Sequence, residues 1–142
     1  MSSEPLLLVF GHDALAERVC AELTATAGHR VQVVWSLGAA RAAAFRVLGA
    51  TVVPLEPDSD ESLIAAGVME AASFLALSDD DGLNLSIALR ARALNGAIRV
   101  VLRQFSPTLG AKIEQSMPDC TALSLAAHSA STFGASALRR PR

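Results

Sequence analysis

Apolar residues follow two rhythms that alternate from one end of this chain to the other. Short continuous apolar runs predict strands at residues 6–10, 31–35, 51–55, 73–77, 98–102 and 121–125. Between them, apolar positions three or four residues apart predict helices at 14–26, 39–48, 61–66, 83–94, 107–115 and 126–138. Leu15, Val19, Cys20 and Leu23 make one buried face of the first helix. Gly28, Gly49 and Gly67 stand just past helix ends, where a left-handed residue closes the last turn. Pro107 opens a helix at the position where its missing N–H costs nothing. Pro54 places the third strand at a sheet edge, because proline removes a ladder donor. Strands of about five residues alternating with helices imply βαβ units and a parallel sheet. Right-handed crossovers then put helices on both faces. The expected class is α/β: a doubly wound, mainly parallel six-stranded sheet.

Composition agrees with that picture and removes several function classes. A chain of 142 residues is most simply one domain, long enough to bury roughly two-thirds of its unfolded surface. Hydrophobic residues are 51% and charged residues 18%, with a mean hydropathy of +0.38, as suits strands covered on both faces. No apolar stretch approaches the roughly 18 residues of a membrane span, so direct membrane insertion is not expected. No basic region precedes the first apolar run, which speaks against a secretory signal and for a cytoplasmic protein. A net charge of −2 without a basic stripe argues against nucleic acid as a partner. Cys20 and Cys120 match no metal spacing and read as free thiols. His12, His29 and His128 are scattered and form no metal or catalytic set.

The chemistry concentrates where the first strand ends. Gly11, His12 and Asp13 turn the chain into the first helix, as the opening of a Rossmann-like dinucleotide-binding domain does. The fingerprint G-x-G-x-x-G is incomplete, since Asp13 and Ala16 occupy its second and third glycine positions. Glycine at the second position lets the backbone approach a pyrophosphate at the helix N-terminus. Asp13 is instead a strong helix cap that accepts from the same amides. Two like charges about 4 Å apart at an effective dielectric near 20 repel by roughly 4 kcal/mol, so a phosphate in the usual pose is disfavoured. The second strand ends in Trp35 and Ser36, where an acidic residue would bind the ribose. Trp35 can stack on an adenine or cover a neighbouring helix.

Further along, the stretch Leu63 to Asn84 reads LIAAGVMEAASFLALSDDDGLN, and Arg103 follows the fifth strand. Leu63, the pair Ala66-Gly67, Ala71, Ala72, the run Asp79 to Asp81, Asn84 and Arg103 together resemble the N-terminal domain of the RCK (regulator of potassium conductance) family. That family includes the NAD-binding domains of Trk-type potassium-uptake regulators. The resemblance covers about residues 6–125. It implies a ligand-sensing domain that is not an enzyme, binds NAD(H) or an adenine nucleotide, and passes its state to the membrane subunit of a potassium channel or transporter. It also implies a homo-oligomer, either a dimer or a gating ring. Residues 1–125 would be the Rossmann domain, and 126–142 the start of a crossover or dimer helix with a basic tail. Phe133 and Leu138 are the expected dimer contact.

The residues expected at the cofactor site are Gly11, His12, Asp13, Trp35, Ser36, Glu56, Ser78, Asp79 and Arg103. Glu56 aligns with a family aspartate near the adenine, and also reads as part of a solvated acidic loop. Asp80 or Asp81 also serves as a cap of the next helix. Asn84 and Arg103 either touch ligand or tie loops together. The preferred reading is a regulatory domain with a degenerate nucleotide site, weakened by Asp13 and Trp35. The alternative keeps a working site. A fragment of an NAD-dependent dehydrogenase ranks lower, because the chain has no tyrosine, no evident His/Asp pair and no substrate domain. A phosphoacceptor receiver domain is rejected for want of its acidic pair and lysine.

Overall fold

The computed structural model describes residues 4–26, 28–124 and 130–138. Its elements alternate as β1 (Leu6–Phe10), α1 (Ala14–Ala25), β2 (Arg30–Val34), α2 (Ala39–Val47), β3 (Thr51–Val53), α3 (Asp60–Ala65), β4 (Ala71–Ala76), α4 (Asp81–Leu94), β5 (Arg99–Arg103), α5 (Pro107–Ser116), β6 (Cys120–Leu123) and α6 (Ala130–Leu138). The strands form one six-stranded sheet in the order β3-β2-β1-β4-β5-β6. Every pairing is parallel. The strand order reverses between β1 and β4, and there two loops leave the same edge in opposite directions, which opens the crevice of a doubly wound sheet.

Alternation along the central strands divides the core in two. Leu6, Leu8 and Phe10 face α3, α4 and α5 together with Phe74, Ile87, Val100 and Ile113. Leu7 and Val9 face the other way, against Leu15, Val19 and Leu23 of α1, Phe45 of α2 and Phe133 of α6. Burial on both sides is why β1 reads as an unbroken apolar run, and why β5 is apolar between its two buried end residues, Arg99 and Arg103.

Differences from the sequence expectation sit at element ends. β3 stops at Val53, because Pro54 has no N–H to continue the edge ladder. α4 starts two residues earlier than the apolar pattern suggests, since Asp80 caps it by accepting from the Leu83 N–H at 3.0 Å. Residues 126–129 of the predicted last helix lie outside the described residues.

Where α6 is described, it packs against its own chain. Phe133 is fully buried, and the Ser73 hydroxyl donates to the Ala137 carbonyl at 2.8 Å. The Ser131 hydroxyl also bonds the Glu22 carboxylate of α1 at 3.1 Å. Phe133 is therefore a core residue of the domain and not a dimer contact. Its aromatic ring is more stable against α1 than exposed to solvent. Leu138, by contrast, is 40% exposed.

Gly67 ends the α3 turn at φ +100°, and a Cβ there would lie 2.7 Å from Leu6 Cδ2. Gly28 has a similar φ of +99°, with nothing within 4 Å of its would-be Cβ. Gly67→Ala is expected to destabilise beyond the roughly 1–3 kcal/mol of backbone strain that Gly28→Ala also bears, because it adds a clash with β1. Denaturant midpoints of the two variants measure the difference. Equal midpoints would mean that Leu6 yields without cost.

Candidate functional site

The carboxyl edge of β1, β4 and β5 gathers a set of polar groups that the sheet interior excludes. Gly11 is buried there, with a would-be Cβ 3.2 Å from the Ala16 methyl and 3.4 Å from the Leu77 backbone. The Leu77 N–H donates to the Phe10 carbonyl at 2.8 Å, so the β1 turn is pressed flat against the end of β4. Ala16 fills the space that a third fingerprint glycine would leave open, so any side chain at position 11 would fit only tightly.

Asp13 is the hub of this edge. One carboxylate oxygen accepts from the Ala16 N–H at 3.2 Å and caps α1. The other accepts from Arg103 Nη1 at 3.1 Å, across the crevice from β5. The same Nη1 donates to the Leu77 and Ser78 carbonyls at 3.3 Å each. Arg103 thus ties the ends of β1, β4 and β5 together, with its side chain 8% exposed against 31% for Asp13. Its guanidinium carbon lies 5.2 Å from the centre of the Phe105 ring. Arg103 Nε is buried and has no partner among the described residues.

A second fully buried cluster supports the first. Asn84 Oδ1 accepts from the Ser78 N–H at 2.9 Å and from the Ser78 hydroxyl at 2.6 Å. Asn84 Nδ2 donates to the Ser78 carbonyl at 2.9 Å and to the Arg103 carbonyl at 3.2 Å. Every polar atom of the Asn84 amide is engaged, which is what lets it sit at zero exposure. Of the two roles left open for Asn84 and Arg103, loop bracing is the one these contacts perform.

Where the edge of β2 meets the turn, aromatic rings close ranks. Trp35 lies 4.7 Å from Phe10 and 4.5 Å from His12, centre to centre. It covers the end of β1, and its backbone N–H continues the β2–β3 ladder to the Val53 carbonyl at 3.0 Å. The His12 carbonyl accepts from Arg41, which also pairs with Glu17 at 3.2 Å. Ser36 is exposed, its hydroxyl 3.5 Å from the Leu55 carbonyl. Glu56 is exposed as well, and its N–H donates to the Ser62 hydroxyl at 3.0 Å. Asp79 is exposed on the β4 exit loop. The fold therefore joins Gly11, Asp13, Ser78 and Arg103 in one network and His12 with Trp35 in another. Ser36, Glu56 and Asp79 remain on the exposed rim.

Three contributors make contacts here that were not legible in the sequence, although Asp81 was expected as a family residue or helix cap. Arg41 braces the turn from α2, Gln104 is only 2% exposed, and Asp81 accepts from the Phe105 N–H at 2.9 Å. A glutamine directly after a buried strand is the one signal that pointed to such a role. Both cysteines are unpaired. Burial, and next the nearby Glu17 carboxylate, push the Cys20 thiol up to about 12. Burial is also the main cause that pushes Cys120 up to about 11. Among the described residues no group of three or more His, Cys, Asp and Glu is placed to hold a metal ion. No described helix is long and apolar enough to cross a membrane.

Residues 7–119 match the TrkA-N domain family. A comparison with curated protein sequences gives no match. Among solved structures, the TrkA-N domain of the inner membrane protein ybaL from Escherichia coli superposes with a TM-score of 0.69 at 18% identity, covering 87% of this chain and 90% of that one. The GsuK channel bound to NAD gives a TM-score of 0.67 at 21% identity over 86% of this chain, which spans 22% of the channel chain. An apo saccharopine dehydrogenase from Saccharomyces cerevisiae gives 0.61 at 18% identity over 84% of this chain and 26% of that one. At these identities the likeness is one of fold.

Proposed function

The chain belongs to the TrkA-N domain family, and from that premise we propose that it is the cytoplasmic regulatory domain of a potassium channel or Trk-type potassium transporter, with a nucleotide site occupied by its own side chains. The observation that carries this reading is the placement of the Asp13 carboxylate. It holds the α1 amide and the Arg103 guanidinium, the two donors a nucleotide phosphate would need. A phosphate seated beside it faces repulsion of roughly 4 kcal/mol at 4 Å and an effective dielectric near 20. That corresponds to about three orders of magnitude in affinity. The Trp35–His12 pair meanwhile stands where an acidic residue would bind an adenosine ribose. The domain acts on its membrane partner as a member of a homo-oligomer, by favouring one arrangement of paired domains over another.

No catalytic constellation accompanies the site among the described residues. The likeness to a dehydrogenase is not matched by a catalytic tyrosine, since the chain has no tyrosine. A non-enzymatic role fits the residues better.

A second reading, a working site for NAD(H) or an adenine nucleotide, is favoured by one observation. The Arg103 Nε donor is buried without a partner among the described residues, as an arginine awaiting an anion would be. Thermal unfolding with NAD, NADH, AMP, ADP and ATP separates the two. A ligand at one hundred times its dissociation constant stabilises by about 2.7 kcal/mol, a shift of several degrees for a domain of this size. The unaltered protein is expected to show no shift, and Asp13→Gly to show one. A shift in the unaltered protein establishes the working site instead.

A further inference from the structure

Arg103 pairs with Asp13, and a second carboxylate at the same edge, Asp81, has no ion pair among the described residues. Three buried polar atoms lack a partner among those residues: Arg103 Nε, Asp81 Oδ1 and Gln104 Oε1. The first is a charged donor and the second a charged acceptor, so each is what the other lacks. Gln104 is set apart from them, since its Nε2 is spent on the Asp81 carbonyl at 3.3 Å and it lines a different cavity, beside Glu114. Asp81 already reaches the exit of β5, where its Oδ2 accepts from the Phe105 N–H at 2.9 Å. The Arg103 guanidinium carbon lies 5.2 Å from the ring centre of that same Phe105. Residues 77–81 are thus gripped at both ends by one turn. Arg103 Nη1 holds the Leu77 and Ser78 carbonyls at 3.3 Å each, and Phe105 holds Asp81.

We propose that Arg103 is a latch with two seats: it holds Asp13 while the crevice is shut, and moves to Asp81 Oδ1 when another group claims Asp13. The inference rests on the reading of Asp13 as the side chain that closes the crevice. In the first seat Nη1 serves three acceptors, while Nε and Asp81 Oδ1 are stranded. The second seat joins the two stranded atoms and releases Asp13. A buried donor or acceptor left unmade is costly, so each seat carries a penalty that the other removes. Two discrete arrangements of similar cost are what a switch requires. The Asp13 seat is the one open to challenge, because the Asp13 side chain is 31% exposed and that of Arg103 only 8%. A hydroxyl-bearing or cationic group entering the crevice competes for that carboxylate directly. The move is a rotation of the side chain alone, since Asn84 Nδ2 keeps the Arg103 carbonyl in place at 3.2 Å. It withdraws Nη1 from Leu77 and Ser78, and so carries an event at the α1 turn to the start of α4.

The test is a cycle of Asp13→Asn and Asp81→Asn in the ligand-free protein, read by melting temperature and by the NMR signal of the Arg103 Nε–H. Each single variant is expected to melt close to the unaltered protein, since Arg103 keeps one seat. The double variant is expected to melt several degrees lower than the two single effects sum to, because both seats are gone. In Asp13→Asn the Nε–H proton is expected to move downfield, as one bonded to a carboxylate does, and to return in the double variant. Repulsion between the two carboxylates would also make the losses non-additive, but that coupling survives Arg103→Met, whereas the latch coupling disappears with it. Additive melting temperatures, or a coupling that persists in Arg103→Met, would overturn the latch. If Arg103→Met does not fold, an Nε–H signal alike in the other four proteins overturns it and assigns the stranded atoms to water. No nucleotide enters the comparison, so its failure leaves the closed crevice standing, and a nucleotide-induced shift in the unaltered protein leaves the latch standing.

Discussion

Replacing Arg103 with methionine is expected to cost about 3 kcal/mol and to lower the melting temperature by roughly 10 °C. Methionine keeps much of the buried volume, so the loss is one of charge and hydrogen bonds rather than of packing. Three acceptors lose a donor at once: the Asp13 carboxylate and the Leu77 and Ser78 carbonyls, although Ser78 keeps the Asn84 amide and Asp13 the Ala16 N–H. Removing one partner of a buried ion pair typically costs about 3–5 kcal/mol, and Asp13, at 31% side-chain exposure, retains enough water to hold the loss near the lower end. Asp13→Asn is expected to cost far less, since asparagine caps a helix about as well as aspartate. The double variant tests the coupling. If Arg103 serves Asp13 chiefly, the two losses will not add; if it serves the two carbonyls chiefly, they will. An Arg103→Met protein that melts with the unaltered one would show that this network is not what holds the crevice closed.

The second large effect is expected at Phe133. Its ring is at zero exposure in the core that α6 shares with α1, β4 and β5, so Phe133→Ala should destabilise by about 3–5 kcal/mol. Chemical denaturation at two protein concentrations measures both the size and the origin of the loss. A loss independent of concentration places Phe133 in its own domain's core. A loss that shrinks on dilution would restore it as a contact between copies, because only an oligomer's stability depends on protomer concentration. Leu138→Ala, at a 40% exposed position, is the matched control and should change little on its own.

These two residues also mark the boundary of what sequence reasoning reached. Arg103 was found from its place in a family pattern, directly after the fifth strand. Its partner was not evident, because residues 13 and 103 lie 90 positions apart and nothing local joins them. Asp13 was legible as a helix cap, since capping depends only on the next three residues. Its second bond, to Arg103, reverses the balance of the crevice and needed the sheet order to be seen. Phe133 was misplaced for the same reason. An aromatic among small residues on a terminal helix has one appearance in sequence and two possible partners, its own α1 or another copy.

What the sequence determined by itself is the alternation of short buried strands with one-faced helices, and hence the parallel doubly wound sheet. Those features follow from period and length, from caps such as Asp13, Asp80 and Ser106, and from glycines at left-handed turns, all of which act over a few residues. Tertiary structure decided who meets whom at the carboxyl edge. It set Asp13 against Arg103, Ser78 against Asn84, and Trp35 against His12, and it left Gln104 Oε1 and Asp81 Oδ1 without donors among the described residues. Polar groups pressed together by a buried sheet must satisfy one another or a ligand, and which of the two occurs is fixed only when strands distant in the chain become neighbours.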